Sequence, residues 1–166
     1  MNPSGRHSCP GSGPRIDGPL SAEDRAGWCW AAFFSRAILG TLFLVPGWHK
    51  VVEMGALTHA RRLFVEGFAE HWIPTWLLWL LGTVIPFIEL MGGLLLVLGL
   101  WTRKAAVALG FVLVLVTYGH LLQEPFFVVT GHILPRLLLV LLILVMPRGV
   151  DRWSTDRFVR ERRENG

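Results

Sequence analysis

The sequence predicts an all-α polytopic membrane protein: an antiparallel bundle of four transmembrane helices, with an amphipathic interfacial helix in the first external loop. Three observations predict it. Of 166 residues, 52% are hydrophobic and only 17% are charged, where a soluble domain carries about 25%. The charge is also unevenly placed, since between Thr75 and Met146 it is confined to Glu89, Arg103, Lys104, Glu124 and Arg136. Four segments reach the roughly 20 apolar residues that a bilayer core takes as helix. This pattern excludes a disordered chain, a nucleic-acid-binding module and an ordinary soluble enzyme. The net charge of +4 then reads as a topology signal, and the lipid bilayer as the first partner.

Residues 1–27 are rich in Gly, Pro and Ser without an apolar run, which predicts a disordered cytoplasmic tail. The four-helix transmembrane domain follows over 28–146, with spans at about 28–48, 75–101, 105–122 and 126–146. With no secretory signal ahead of it, the first span serves as an uncleaved anchor. The second is longer than a bilayer needs and should tilt. Two very short links, Thr102–Lys104 and Gln123–Pro125, make the last three spans tight hairpins. Between the first two spans, Leu57, Ala60, Phe64, Phe68 and Trp72 recur at roughly helical spacing among Arg61, Arg62, Glu66 and Glu70. That pattern suits a helix lying on the outer bilayer surface, as a cap or a lid. Residues 147–166 form a short basic tail.

Orientation follows from Lys and Arg. Arg6, Arg15, Arg25, Arg103, Lys104, Arg148, Arg152, Arg157, Arg160, Arg162 and Arg163 fall on one side of an even-numbered bundle. Lys50, Arg61 and Arg62 fall on the other, offset by Glu53, Glu66 and Glu70. The positive-inside rule puts both termini in the cytoplasm. Tryptophans mark both interfaces: Trp28, Trp30, Trp101 and Trp153 inside, Trp48, Trp72, Trp76 and Trp79 outside.

The informative residues break the apolar pattern. An ionisable side chain at the bilayer centre costs about 2.5–3.5 kcal/mol unless it is paired or wet. At 1.5 Å per residue, Arg36 lies roughly 12 Å from Trp28, Glu89 roughly 18 Å from Trp101, and Arg136 roughly 16 Å from Pro147. One shared layer is expected, with the three groups joined as a pair or triad. Arg36, Gly40, Phe43, Gly47 and Lys50 form one stripe of the first helix, and Gly82, Pro86, Glu89, Gly92 and Gly93 one stripe of the second. Small residues beside an acid let helices approach closely. Pro86 frees the carbonyl of Gly82, and Pro135 that of Gly131; both then need donors. Two arginines against one glutamate leave a net positive site, suited to a quinone carbonyl, an anionic substrate or lipid headgroup oxygens. The alternative is a structural salt bridge.

A second cluster lies nearer the outer face: His49, Lys50, Tyr118, His120 and His132, with His132 and Arg136 one turn apart. Histidine changes charge near neutral pH, so this layer can exchange protons with the outside. Facing histidines in a bundle can also ligate haem, but nothing in this spacing demands it. No metal site is expected. The cysteines, Cys9 and Cys29, form no CxxC, which argues against thiol–disulfide catalysis.

The stretch Arg36-Ala-Ile-Leu-Gly40, with Phe43 and Gly47-Trp-His-Lys50, resembles the opening signature of the DoxX family. Pro86-Phe-Ile-Glu89-Leu-Met-Gly92-Gly93, running on to Gly99-Leu-Trp-Thr102-Arg103, resembles its core motif. His120 matches a histidine late in the third helix. Pro147-Arg-Gly149 through Ser154 and Asp156 resembles the closing pattern, from which Val150 and Asp151 depart. The fourth helix departs too, with Arg136 where an acid is expected. The resemblance implies four-helix inner-membrane proteins, some similar to subunits of quinone-linked oxidoreductases such as thiosulfate:quinone oxidoreductase. It implies Glu89 and His120 as catalytic proton carriers, with electrons from a partner oxidoreductase. Arg36, Lys50, Tyr118, His132 and Arg136 are the candidate quinone-binding residues. The competing reading is a non-enzymatic assembly factor, or a binder or transporter of a small anion.

Overall fold

The computed structural model describes residues 22–123 and 129–146, all of them helical or in short connections. Helix α1 (Ala22–Trp48) starts six residues before the expected Trp28 and runs on into a π-helical turn, His49–Glu53. After Gly55, whose φ of 82° suits only glycine, comes a short helix α2 (Ala56–His59) and a π-helical stretch, Ala60–Glu66. Helices α3 (Thr75–Leu98), α4 (Thr102–Gln123) and α5 (Val129–Val145) complete the described chain. The expected tails at 1–21 and 147–166 lie outside the described residues.

Each long helix ends where its sequence makes it end. Pro74 stands just before α3. Gly99, at φ 69°, closes α3 with two bonds of a Schellman cap, Gly99 N–H to Leu96 O at 3.1 Å and Leu100 N–H to Leu95 O at 2.9 Å. The second span therefore stops three residues before the expected Trp101. Thr102 opens α4 at once. Arg103, in its first turn, donates to the carbonyl of Met146 just past the end of α5.

The four long helices pack in a ring: α1 on α3, α3 on α4, α4 on α5, and α5 back on α1. Leu39, Phe43, Leu96, Ala106, Leu109 and Ile143 are among the side chains that fill the middle. Outward-facing positions are large and apolar: Phe111 is 69% exposed, Val145 79%, Trp76 68%. So wide an apolar surface is untenable in water and is the lipid face of a membrane protein. Three helical segments, Ala26–Glu53, Thr75–Leu98 and Thr102–Gln123, are long and apolar enough to cross a membrane; the apolar part of α5, Ile133–Val145, is shorter.

The tightest seam joins α1 to α3. The two expected stripes largely face each other there, with Gly40 against Gly93 and Gly47 against Glu89 and Leu90, while Gly92 turns to Leu109 of α4. A Cβ on Gly47 would lie 2.6 Å from the backbone nitrogen of Leu90, and one on Gly93 2.5 Å from that of Leu44. This is small-residue packing in which the two backbones nearly touch.

The first connection is not a free amphipathic helix. Ala60 and Phe68 of the expected apolar face are buried, but Leu57 and Trp72 are 66% and 80% exposed. The π-helical stretch changes the angle between successive residues, so an i, i+4 stripe does not stay on one face. The segment leans on α3 instead. A Cβ on Gly82 would meet the Ala60 Cα at 2.7 Å, and the Gln123 side chain ties Gly67 O to the end of α4 at 3.1 Å.

Candidate functional site

Pro46, inside α1, has no N–H to give to the carbonyl of Leu42 one turn earlier. Arg136 from α5 answers it, its Nη2 donating to Leu42 O at 3.4 Å. The same guanidinium lies over the Phe43 ring, 5.5 Å from its centroid. Its Nε is buried with no hydrogen-bond partner among the described residues. Among the described residues Arg136 is thus held by one long bond and a ring, with donor capacity to spare.

Glu89 on α3, its side chain only 8% exposed, pairs with Lys50 at 2.6 Å. Lys50 sits on the π-helical turn beyond Trp48, where Met54 N–H bonds five residues back to His49 O at 2.9 Å. Such turns are frequent at functional sites. His120, in the last turn of α4, donates Nδ1–H to Val116 O at 2.8 Å. In the neutral ring this leaves Nε2 as an acceptor.

These four groups share a cavity of about 210 Å³ between the helices, walled by Leu42, Phe43, Pro46, Val116 and Ile133. With Lys50 and Arg136 cationic and Glu89 anionic, its fixed charge is +1 before His120 is counted. Coulomb attraction in such a low-dielectric space favours an anion or a strong hydrogen-bond acceptor.

The expected Arg36–Glu89–Arg136 triad does not form. Arg36, 3% exposed, donates to the last carbonyls of α3, Leu96 O at 3.4 Å and Val97 O at 3.3 Å. Glu89 lies beside Gly47, three turns of α1 away from Arg36, or about 16 Å. The depth count takes Trp28 and Trp101 as level, and they are not, since Arg36 reaches Leu96 and Val97. Arg36 caps a helix and stacks on Phe33 at 5.4 Å, outside the cavity. Tyr118, two residues from both Val116 and His120, points the other way and is 51% exposed. His132 lies in α5, but its side chain is outside the described residues. His49 pairs with Glu53 at 2.6 Å on the exposed side of its turn.

A family model for DoxX matches residues 31–129. The chain belongs to the DoxX family. No curated protein and no solved structure matches the chain significantly. The DoxX match takes in Lys50, Glu89 and His120; it ends before Arg136, whose place in the site rests on geometry alone.

Sequence reasoning missed a buried histidine of this DoxX protein, His59. It is 2% exposed, and its Nδ1 donates to Gly82 O at 2.9 Å. That is the carbonyl freed by Pro86. Half of the signal was available: Pro86 frees an acceptor on α3, but that His59 answers it depends on the docking of the connection, where Ala60 is 0% exposed.

Burial holds the His59 imidazole below the ordinary histidine value of 6.5, with Lys50 adding to the effect and the Gly82 bond and Glu89 opposing it. The docked segment therefore needs the neutral ring, whereas an undocked one takes up a proton near the ordinary value. Docking is complete above that pH and weakens as pH falls below it. Amide exchange over 56–66, referenced to α4, is expected to quicken between pH 7.5 and 5.5. His59→Asn, which keeps a donor but cannot titrate, should remove that pH dependence; an unchanged slope would refute the assignment.

Proposed function

We propose that this DoxX protein is a four-span inner-membrane subunit that binds the ring of a quinone between its helices and works with a partner oxidoreductase. The observation that carries the reading is the cavity: a carboxylate, two cations and a histidine around one apolar space. Quinone reduction takes up two protons with two electrons, so ionisable groups must stand beside the ring. In this reading the partner supplies the electrons, while Lys50 and the Arg136 guanidinium, which both line the cavity, donate to a ring oxygen. Glu89 and His120 are placed to hold and pass protons, His120 from the outer end.

Size agrees. A cavity of about 150 Å³ accepts benzene, so about 210 Å³ admits a single substituted ring while a long tail stays in lipid. Eleven basic residues on one side support cytoplasmic termini, with α5 as the fourth span. Net positive charge in the cavity favours a second reading, a receptor for a small organic anion.

The test is thermal stability of the purified protein in mild detergent. A short-tailed one-ring quinone at a hundred times its Kd should stabilise the protein by about 2.7 kcal/mol, and Glu89→Gln should reduce that gain. Stabilisation by benzoate but not by the quinone would select the anion reading. No effect of either, together with unchanged quinone-linked activity of Glu89→Gln membranes, would sink both.

A further inference from the structure

The connection between α1 and α3 is fastened to α3 at two points on one stripe. His59 Nδ1 holds Gly82 O at 2.9 Å, and Lys50 Nζ holds the Glu89 carboxylate at 2.6 Å. Gly82 and Glu89 are two helical turns apart on the same face of α3. Between the two fastenings run the π-helical turn, Gly55 at φ 82° and α2. The fastenings differ in kind. The His59 end is fully enclosed, with His59 2% and Ala60 0% exposed. The Lys50 end is at the rim, its side chain 25% exposed.

A lysine stem is flexible and loses much rotamer freedom when its ammonium is fixed. How well Lys50 stays on Glu89 therefore depends on how firmly its backbone is held. On its N-terminal side the turn continues α1, whose Gly47 packs on Glu89 and Leu90. On its C-terminal side the π-helical turn and Gly55 give little stiffness, and the anchor is nine residues on, at His59. Pro86 explains why that anchor exists, because it leaves Gly82 O without its intrahelical donor. Gly82 explains why the anchor fits, because any Cβ there would meet Ala60 Cα at 2.7 Å.

We propose that His59 is a positioning residue for the cavity: by fixing the connection to Gly82 O it holds the Lys50 ammonium on the Glu89 carboxylate. The inference rests on the reading above only in treating that pair as part of the binding site. It needs no ligand to be tested.

Lys50 and Lys104 are the only lysines in the chain, which provides the measurement. Lys104 is on α4 beside Trp101, 5.4 Å from its ring centroid, and reports general amine reactivity. Full-length protein in lipid nanodiscs is acetylated to trace levels, and the Lys50:Lys104 ratio is read by mass spectrometry. Glu89→Gln is expected to raise the ratio about five- to thirty-fold, and His59→Ala to raise it comparably. His59→Asn, which can still donate to Gly82 O, should stay near wild type. If His59→Ala does not fold, Gly82→Ala displaces the same segment without removing the histidine and should raise the ratio as well. A wild-type ratio in His59→Ala or Gly82→Ala while Glu89→Gln is raised overturns the proposal. So does a wild-type ratio in Glu89→Gln, or a raised one in His59→Asn. Absence of quinone binding beside the expected labelling pattern sinks the quinone reading and leaves this one standing.

Discussion

Gly93→Ala is expected to cost about 2–3 kcal/mol of folding stability, near the upper end for overpacking, while Gly110→Ala is expected to cost nothing. At Gly93 the new Cβ would sit 2.5 Å from Leu44 N and 2.8 Å from Gly40 O, both backbone atoms. No rotamer change relieves such a contact, so α1 must retreat from α3. The retreat would loosen the neighbouring contacts of Gly40 and Gly47 along the same seam. Alanine gains up to about 1 kcal/mol over glycine in helix propensity, and the expected loss stands after that gain. At Gly110 the same Cβ would meet Val140 Cγ1 at 3.5 Å, an ordinary contact, so there the propensity gain should show as mild stabilisation. Denaturant titration in detergent micelles checks both, and equal stability of the two variants would mean that α1 and α3 are not in backbone contact.

That seam was readable before any coordinates, because i, i+4 and i+7 spacing placed Gly40, Phe43, Gly47 and Lys50 on one face and Pro86, Glu89 and Gly93 on another. Of the seven candidate residues, Lys50, Glu89, His120 and Arg136 line one cavity, although spacing sets them in two separate layers. What spacing does not contain is register. It says which residues face a neighbour but not how far one helix is slid along it, so Arg36 was set opposite Glu89 when it reaches Leu96 and Val97. Tyr118 was grouped with His120 by closeness in sequence, although two residues along a helix point to opposite sides. The docked connection was hidden for another reason: a π-helical stretch breaks the period on which stripe counting depends.

Proline proved the better guide to polar contacts. Pro46 and Pro86 each strand a carbonyl inside an apolar helix, and the chain supplies a donor from a different element each time, Arg136 for Leu42 O and His59 for Gly82 O. A carbonyl left unsatisfied inside an apolar helix costs about 1–3 kcal/mol, so the demand for a donor could be read from sequence. Its identity could not, since that depends on which segments the fold brings alongside.

Arg136→Leu separates a structural arginine from a binding one, because the two roles predict opposite results. The substitution strands Leu42 O, at a cost of about 1–3 kcal/mol. It also removes a charge whose place in the membrane costs about 2.5–3.5 kcal/mol. These contributions nearly cancel, so stability is expected to hold or rise slightly. Ligand binding has no such compensation. The loss of one hydrogen bond from a charged donor, about 1.5–3 kcal/mol, corresponds to roughly 10- to 150-fold in affinity. Arg136→Lys keeps the charge but replaces the planar, forked guanidinium with a single ammonium, and should fall between. The expected outcome is therefore a variant that melts at or above the wild-type temperature yet no longer gains stability from a one-ring quinone. A variant that is strongly destabilised, with its ligand response intact, would show that Arg136 is there for Leu42 and Phe43 alone. The spare donor on a half-satisfied guanidinium argues for the first outcome: a fold needing only a partner for Leu42 O would be served by a smaller, uncharged side chain.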